Sequence, residues 1–197
     1  MNSLISESAV VVRQSWRDSS ATVAAEAVRA VGAVDPEEAQ QMGSAVVGAE
    51  RVFVFGQGRS GMALRGLAIR LMHLGLRVHV VGAETTPAIV PGDLLLVASG
   101  TGTTASVVSA ARAAIAAGAS VAAFTAAPHS TLASLASTVM VVPAAGKDDR
   151  SGRVSHQYAG SLFEQAVWLA GDVLFDALWR GSGLTAEELW ARHANLE

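Results

Sequence analysis

The chain of 197 residues contains no cysteine, and only 16% of its residues are charged. The absence of cysteine excludes disulfide bonds, thiolate catalysis and cysteine-ligated metal sites. The net charge of −3 gives no basic surface that would attract nucleic acid or an anionic membrane. Hydrophobic residues make up 51% of the chain, so we expect one large domain that buries further apolar surface against copies of itself.

The sequence gives little support for a signal peptide or for a membrane-spanning segment. Residues 1–4 lack a basic region followed by an apolar core, so we expect no signal peptide and a cytoplasmic protein. Residues 113–146 contain no charged side chain, a length that could suggest a membrane span. Glycine, proline, histidine and hydroxyl residues interrupt this stretch, which therefore predicts short helices and strands within a soluble core.

Apolar runs and helical segments alternate from residue 51 onward. Strands are predicted at 51–55, 77–81, 94–98, 120–125 and 138–142, with helices at 58–74, 104–117 and 130–136. Strands this apolar are typical of a parallel sheet that helices cover on both faces. The pattern predicts an α/β fold, a three-layer sandwich with a five-stranded parallel sheet of the flavodoxin-like kind.

Further helices are predicted at both ends of the chain. They are a segment at 21–31, one that begins at Asp35-Pro36-Glu37-Glu38, one at 158–179, and a capped last helix from Thr185 to Glu197. A polar loop at 143–156 precedes the long C-terminal helix. We divide the chain into an N-terminal helical segment, residues 1–34, and one domain, residues 35–197.

The turn Ser99-Gly100-Thr101-Gly102-Thr103-Thr104 joins a predicted strand to a predicted helix. Free backbone N–H groups and the helix dipole point at such a turn, and four hydroxyls add further donors. A phosphate group suits this many donors, and the absence of lysine from the turn favours a sugar phosphate over a nucleoside triphosphate. We predict that Ser99, Thr101, Thr103 and Thr104 bind phosphate; the alternative is an ordinary hydroxyl-rich N-cap.

The stretch Gly56-Gln57-Gly58-Arg59-Ser60-Gly61 matches the G-x-G-x-x-G pattern of dinucleotide-binding turns. Glu84 follows at the distance of a ribose-binding acid, but it lies beyond the apparent end of its strand. If the first and third strands are neighbours, this turn and the hydroxyl-rich turn meet at one sheet edge. We therefore favour a wall of a sugar-phosphate pocket, with Arg59 and Ser60 as ligands, although an N-cap role would explain Ser60 equally well.

With both turns in place, the chain resembles the sugar isomerase (SIS) domain family and, within it, the 6-phospho-3-hexuloisomerases. The resemblance covers residues 35–197 and keeps the order and spacing of its blocks. The matching blocks lie at 52–61, 70–75, 86–87, 99–104, 160–165 and 192–197. The block Gly-Ser-Leu-Phe-Glu-Gln at 160–165 and the terminal Arg-His-Ala-Asn-Leu-Glu are specific to these isomerases, whereas the two turns alone indicate only an SIS domain.

The resemblance implies reversible conversion of D-arabino-hex-3-ulose 6-phosphate to D-fructose 6-phosphate through a cis-enediol(ate), in the ribulose monophosphate pathway of formaldehyde fixation. It further implies a homotetramer with sites at subunit interfaces, a functional link to 3-hexulose-6-phosphate synthase, and neither metal nor redox cofactor. Members commonly carry Ser-Gly-Ser-Gly-Glu-Thr at the phosphate turn. Here Thr101 keeps a hydroxyl, whereas Thr103 replaces the glutamate and cannot act as a base.

Two residues are candidates for proton transfer. Glu164 lies in the matching block within an apolar stretch and is predicted to be the base; the alternative is an exposed glutamate or one paired with an arginine. His193 is predicted on the last helix, within reach of a neighbouring subunit, where it could polarise an oxygen or move hydroxyl protons; the alternative is a contact with its own helix end. Which of the two is the base stays open. Gln157 is predicted to contact substrate hydroxyls.

Two other functions remain open at this point. One is another SIS aldose–ketose isomerase, acting on arabinose 5-phosphate or sedoheptulose 7-phosphate. The zinc-associated histidines of the latter type have no clear counterpart, because the other histidines show no metal-ligand spacing. These are His73, His79, His129 and His156. The second is a non-catalytic sugar-phosphate sensor, which would need a DNA-binding module that the residues before the first strand do not provide.

Overall fold

The computed structural model describes residues 2–147, 149 and 151–196. The strands are β1 (Val52–Gly56), β2 (Val78–Val80), β3 (Leu94–Ala98), β4 (Ser120–Thr125) and β5 (Thr138–Val141). The helices are α1 (Asn2–Gly32), α2 (Pro36–Gly48), α3 (Gly58–His73), α4 (Ala105–Ala116), α5 (Thr131–Leu135), α6 (Ser161–Ser182) and α7 (Ala186–Trp190). The predicted three-layer α/β sandwich with a five-stranded parallel sheet is confirmed.

Strand β3 lies at the centre of the sheet, and all five of its residues are buried. Successive side chains of a strand point to opposite faces, so β3 contributes to two cores. Leu94 and Leu96 pack in the core that includes α3 and α6, whereas Leu95 and Val97 pack in the core that includes α4. Burial on both faces is why this strand is a continuous apolar run in the sequence.

The strand order is β2-β1-β3-β4-β5, so β1 and β3 are neighbours as predicted. Gly56 at the end of β1 pairs with Ala98 at the end of β3. The two turns that follow these strands therefore lie side by side at the carboxyl edge of the sheet. The order reverses at this point, which is where open parallel sheets bind their ligands.

Helix α1 is longer than predicted, since it begins at Asn2 instead of residue 21. Its second half reaches the core through the buried residues Ala27 and Ala30, which follow the buried Glu26. Trp16, which precedes the predicted start, is 67% exposed in the single chain. Among the described helices, none combines the length and the hydropathy that crossing a bilayer requires.

The last helix is shorter than predicted, because α7 ends at Trp190. Arg192 N–H and His193 N–H donate to carbonyls three residues earlier, so the chain continues as turns. The Arg192 guanidinium donates to the carbonyl of His73 (2.9 Å), and this contact with α3 replaces further helical turns. The predicted helix end at Glu197 lies outside the described residues, and His193 follows the helix instead of lying on it.

Candidate active site

A small cavity of about 120 Å³ lies at the carboxyl edge of the sheet, beside the ends of β1 and β3. Its walls are the β1–α3 turn, the β3–α4 turn, the loop after β5 and the first turn of α6. Five of the predicted site residues line it, namely Ser60, Ser99, Thr101, Thr104 and Glu164. The sequence prediction that both turns contribute to one pocket agrees with this arrangement.

Hydrogen bonds within the β3–α4 turn orient its hydroxyls. Ser99 Oγ and Thr104 Oγ1 share a hydrogen bond of 2.9 Å, and the side chain of Ser99 is buried. The hydroxyl oxygen of Thr101 accepts hydrogen bonds from the N–H and the hydroxyl of Thr103, at 3.3 and 3.1 Å. Because its oxygen is already occupied as an acceptor, the Thr101 hydroxyl is suited to donate its hydrogen to a ligand. Thr103 is exposed and supports Thr101 without lining the cavity.

Gly102 gives this turn its shape. Its φ of +61° lies in the left-handed region, which strongly favours glycine. A Cβ at this position would also overlap the side chain of Ser130, the N-cap of α5. The amide of Leu132 donates to the carbonyl of Gly102 (2.9 Å), so α5 supports the turn from outside the cavity.

The G-x-G-x-x-G match has a packing explanation. A Cβ at Gly61 would meet the backbone carbonyl of Gly56, so the last glycine permits close contact between α3 and β1. The N-cap of α3 is Gln57, which makes no side-chain capping bond, and Ser60 lies within the first turn. Ser60 is therefore not an N-cap residue, and it lines the cavity.

Glu164 lies in the first turn of α6, with 22% of its side chain exposed. Nη1 of Arg59 is 2.9 Å from Glu164 Oε2 and donates to Ser161 Oγ at 3.1 Å. The ion pair lacks the alignment of a hydrogen bond, so Glu164 Oε2 is a buried acceptor without a donor. Arg59 thus faces the carboxylate of Glu164 and does not line the cavity beside the β3–α4 turn.

Lys147 was missed by the sequence analysis, although it lines the cavity together with Ala145 and Gly146. It is the only lysine in the chain, and it follows 34 residues without a charged side chain. A single lysine after a long uncharged stretch is a feature that the sequence shows. The sequence of the polar loop does not indicate that this lysine would line the cavity. An ammonium group here adds positive charge to a site already rich in hydroxyl donors.

Gln157 does not line the cavity. Its amide nitrogen donates to Glu26 Oε2 (3.0 Å), and its amide oxygen accepts from Gln165 Nε2 (2.8 Å). Both ends of this side chain are therefore bound within the protein. The predicted contact of Gln157 with substrate hydroxyls would require these bonds to break.

His193 lies far from the cavity within one chain. Its ring stacks on His73 at 5.3 Å and on Trp190 at 4.8 Å between ring centroids. Ser60 and His73 are thirteen residues apart on α3, which corresponds to about 20 Å along the helix. Within one chain His193 therefore does not reach Glu164. In the part of the chain that the structure describes, no three histidine, aspartate or glutamate side chains form a metal-binding group.

Comparison with known proteins identifies the family of this site. The family model of the SIS domain matches residues 46–155, more than half of the chain. The chain belongs to the SIS-domain family. It is 55% identical over 164 residues to 3-hexulose-6-phosphate isomerase of Mycobacterium gastri, covering 83% of this chain and 82% of that protein. It is 36% identical over 165 residues to the isomerase of the same name from Bacillus subtilis, covering 83% and 89%.

Solved structures agree with this assignment. The chain aligns with the crystal structure of a hypothetical protein of Methanococcus jannaschii with a TM-score of 0.79 at 25% identity. From that structure a molecular function of 3-hexulose-6-phosphate isomerase was inferred for that protein. The alignment covers 91% of this chain and 99% of that one. The resemblance predicted from the sequence blocks is thus confirmed. The matched SIS domain contains both turns but ends at residue 155, before α6 and Glu164.

Removing a hydroxyl from the phosphate turn of the SIS domain should weaken sugar-phosphate binding. We expect Thr101→Ala and Thr104→Ala each to lower the affinity for fructose 6-phosphate about tenfold or more, because a hydrogen bond to a charged group contributes roughly 1.5–3 kcal/mol. Isothermal titration calorimetry measures the change. Ser109→Ala is the control, because it removes a hydroxyl at an exposed position of α4, the helix that follows this turn. Unchanged affinity in both turn variants would show that the anion binds elsewhere.

Proposed function

We propose that the protein catalyses the reversible conversion of D-arabino-hex-3-ulose 6-phosphate to D-fructose 6-phosphate. The observation that carries this proposal is that a carboxylate, Glu164, and a hydroxyl-rich helix N-terminus line the same cavity. An isomerase that acts on a sugar phosphate needs a proton acceptor close to the group that anchors the phosphate. The relatives named 3-hexulose-6-phosphate isomerase support the choice of substrate.

The phosphate is bound by the β3–α4 turn. Thr101 and Thr104 donate hydroxyl hydrogens, while free backbone amides at the start of α4 and the dipole of that helix favour negative charge. Ser60 provides a further hydroxyl from the neighbouring turn, and Lys147, which also lines the cavity, contributes a positive charge. Anchoring the phosphate fixes the sugar carbons relative to α6.

Glu164 acts as the base. Its carboxylate removes the proton from C2 while the oxygen at C3 takes up a proton, which gives a cis-enediol(ate). Glu164 then returns a proton to C3, and loss of the hydroxyl proton at O2 leaves the ketone at C2. The carboxylate of Glu164 lines the cavity, and its Oε2 accepts no aligned hydrogen bond from the described residues, although it is paired with Nη1 of Arg59. Arg59 holds a positive charge beside this carboxylate, with Nη1 at 2.9 Å from Oε2.

A neighbouring subunit completes the site. The cavity of about 120 Å³ is well below the roughly 300–1,000 Å³ of typical ligand pockets, so the six-carbon substrate extends beyond it. Arg59 and Glu164 also border an open apolar cleft between α1, α3 and α6. Trp16, Met62 and Trp168 of this cleft are each about half exposed or more, as expected of an interface between subunits.

We further propose that the subunits form a homotetramer, with each active site at a subunit interface. His193 then reaches Glu164 of a neighbouring chain and moves protons between the substrate oxygens. The enzyme works in the cytoplasm beside a 3-hexulose-6-phosphate synthase, because that reaction supplies its sugar phosphate. Together the two steps form part of the ribulose monophosphate pathway of formaldehyde fixation.

A coupled assay tests the proposed activity. Formaldehyde, ribulose 5-phosphate and a hexulose-phosphate synthase first produce the substrate in the presence of the metal ion that the synthase needs. EDTA is then added, followed by the protein, and the fructose 6-phosphate formed is measured. We expect full isomerase activity in EDTA, because the proton transfers use only Glu164 and hydroxyl or imidazole groups. Product formed only with a divalent ion would contradict this mechanism. Binding of fructose 6-phosphate without turnover would indicate a sensor, and turnover of arabinose 5-phosphate alone would indicate another SIS isomerase.

A further inference from the structure

A buried carboxylate on α1 contacts the segment that leads into α6. Glu26 is 3% exposed and accepts three hydrogen bonds from consecutive residues of this segment. Ser155 Oγ donates to Oε2 at 2.6 Å, His156 N–H to Oε1 at 2.8 Å, and Gln157 Nε2 to Oε2 at 3.0 Å. We infer that Glu26 is a positioning residue, which holds the start of α6 and thereby places Glu164 against the substrate. This inference rests on the proposed function.

The contacts of Glu26 fix the orientation of two amide side chains. A carboxylate only accepts hydrogen bonds, so Gln157 must direct its Nε2 toward Glu26. Its Oε1 then accepts from Gln165 Nε2, at 2.8 Å. This leaves Gln165 Oε1 buried without a donor, next in sequence to Glu164, whose Oε2 is in the same state. The hydrogen-bond chain from α1 therefore ends beside the base.

The backbone between this cluster and α6 is strained. Ala159 has a φ of +50°, and it is the only residue other than glycine with a positive φ in the described part of the chain. Such a conformation persists only where the surrounding structure enforces it. Glu26 holds the chain on one side of Ala159 through Gln157. On the other side, the carbonyl of Gly160 accepts from the N–H of Glu164. The strain thus lies at the entrance to the catalytic helix.

The charge state of Glu26 is consistent with this arrangement. Burial acts to raise the pKa of Glu26, but the hydrogen bonds from His156 N–H, Ser155 and Gln157 outweigh it, and the pKa lies below its ordinary value. The carboxylate therefore remains an acceptor at neutral pH. Glu26 also lies outside the matched SIS domain, which begins at residue 46. The helix α1 thus contributes a part of the active-site support that the domain match does not include.

Glu26→Gln tests this role, because it keeps the shape of the side chain but replaces an acceptor with a donor. We expect kcat to fall about tenfold to hundredfold through misplacement of Glu164, while KM changes less than about threefold, because the phosphate turn is untouched. Trypsin should also cleave after Arg153 faster than in the wild type.

Ser155→Ala removes one donor, and we expect a smaller loss of kcat that is not additive with Glu26→Gln. This variant also provides the measurement if Glu26→Gln fails to fold.

Asp93→Asn is the matched control. Asp93 is 2% exposed and also accepts three hydrogen bonds, two from Arg51 and one from Val90 N–H, at the opposite end of the sheet. We expect it to lower the melting temperature while the folded protein keeps its kcat and its rate of cleavage after Arg153. A wild-type kcat in Glu26→Gln, or kcat and KM changes equal to those of Asp93→Asn, would overturn the inference.

The two proposals can fail separately. An inactive wild-type protein in the coupled assay would contradict the proposed function. In that case cleavage after Arg153 still tests the position of the segment. Equal cleavage rates in the wild type and Glu26→Gln would contradict positioning by Glu26, and faster cleavage in Glu26→Gln alone would support it.

Discussion

Replacing Glu164 with glutamine is expected to lower kcat by about 10²–10⁴-fold, the usual contribution of a general base. The amide is nearly isosteric with the carboxylate but cannot accept the proton from C2. The fold and the affinity for fructose 6-phosphate should stay near those of the wild type, because the substitution leaves the hydroxyls of the β3–α4 turn in place. Steady-state kinetics in the coupled assay and calorimetric titration measure the two quantities.

Exchange of the substrate proton with solvent separates the base from a merely structural residue. In D₂O the wild-type enzyme should incorporate deuterium at C2 of the hexulose phosphate and at C3 of fructose 6-phosphate, and this exchange should vanish in Glu164→Gln. Glu37→Gln is a matched control, since Glu37 is an exposed glutamate in the first turn of α2. Exchange at the wild-type rate in Glu164→Gln would show that the base lies elsewhere, with His193 the next candidate.

The sequence predicted the sheet because its central strands, β3 and β4, are buried on both faces. The uninterrupted apolar run 94–98 indicated a central parallel strand, and the structure places it between β1 and β4. Helix ends were predicted less well, because tertiary contacts determine them. The stop of α7 at Trp190 follows from the contact of Arg192 with the carbonyl of His73, a residue 119 positions away in sequence. No local pattern encodes such a contact.

The two turns of the site could be predicted, because glycines, hydroxyls and their strand–turn–helix context are local features. For Glu164 an arginine pair was one alternative from the sequence, and the structure has it. Arg59 could not be named as the partner, since the two residues are more than a hundred positions apart and meet through the packing of α3 on α6. Lys147 enters the cavity through the path of an irregular loop, and Glu26 acts from α1. Such contacts depend on the three-dimensional arrangement of the chain, and no regular spacing of residues in the sequence indicates them.

The position of His193 limits where it can act. Within one chain it stacks on His73 at the end of α3 distant from Ser60, whereas Glu164 lies at the cavity. Its side chain is exposed, and Arg192 anchors the preceding turn to α3. A catalytic role for His193 therefore requires that this surface meets the cavity of a neighbouring subunit. Each complete site would then combine Glu164 of one chain with His193 of another.

Mixed oligomers test this arrangement. Glu164→Gln and His193→Ala homomers should each be nearly inactive, whereas co-refolding them in equal amounts should restore about a quarter of wild-type activity. That fraction follows because a random site pairs an intact Glu164 with an intact His193 from the other chain in one case of about four. Activity is measured in the coupled assay, and native mass spectrometry verifies that the oligomers are mixed.

Co-refolding Glu164→Gln with a chain that carries both substitutions is the control, since no site can then contain an intact Glu164. This mixture should remain inactive. Randomly mixed oligomers of the two single variants without recovered activity would contradict catalysis across the interface, because about a quarter of their sites would have both residues intact. A nearly wild-type kcat of the His193→Ala homomer would instead show that His193 only anchors the C-terminal segment on His73 and Trp190.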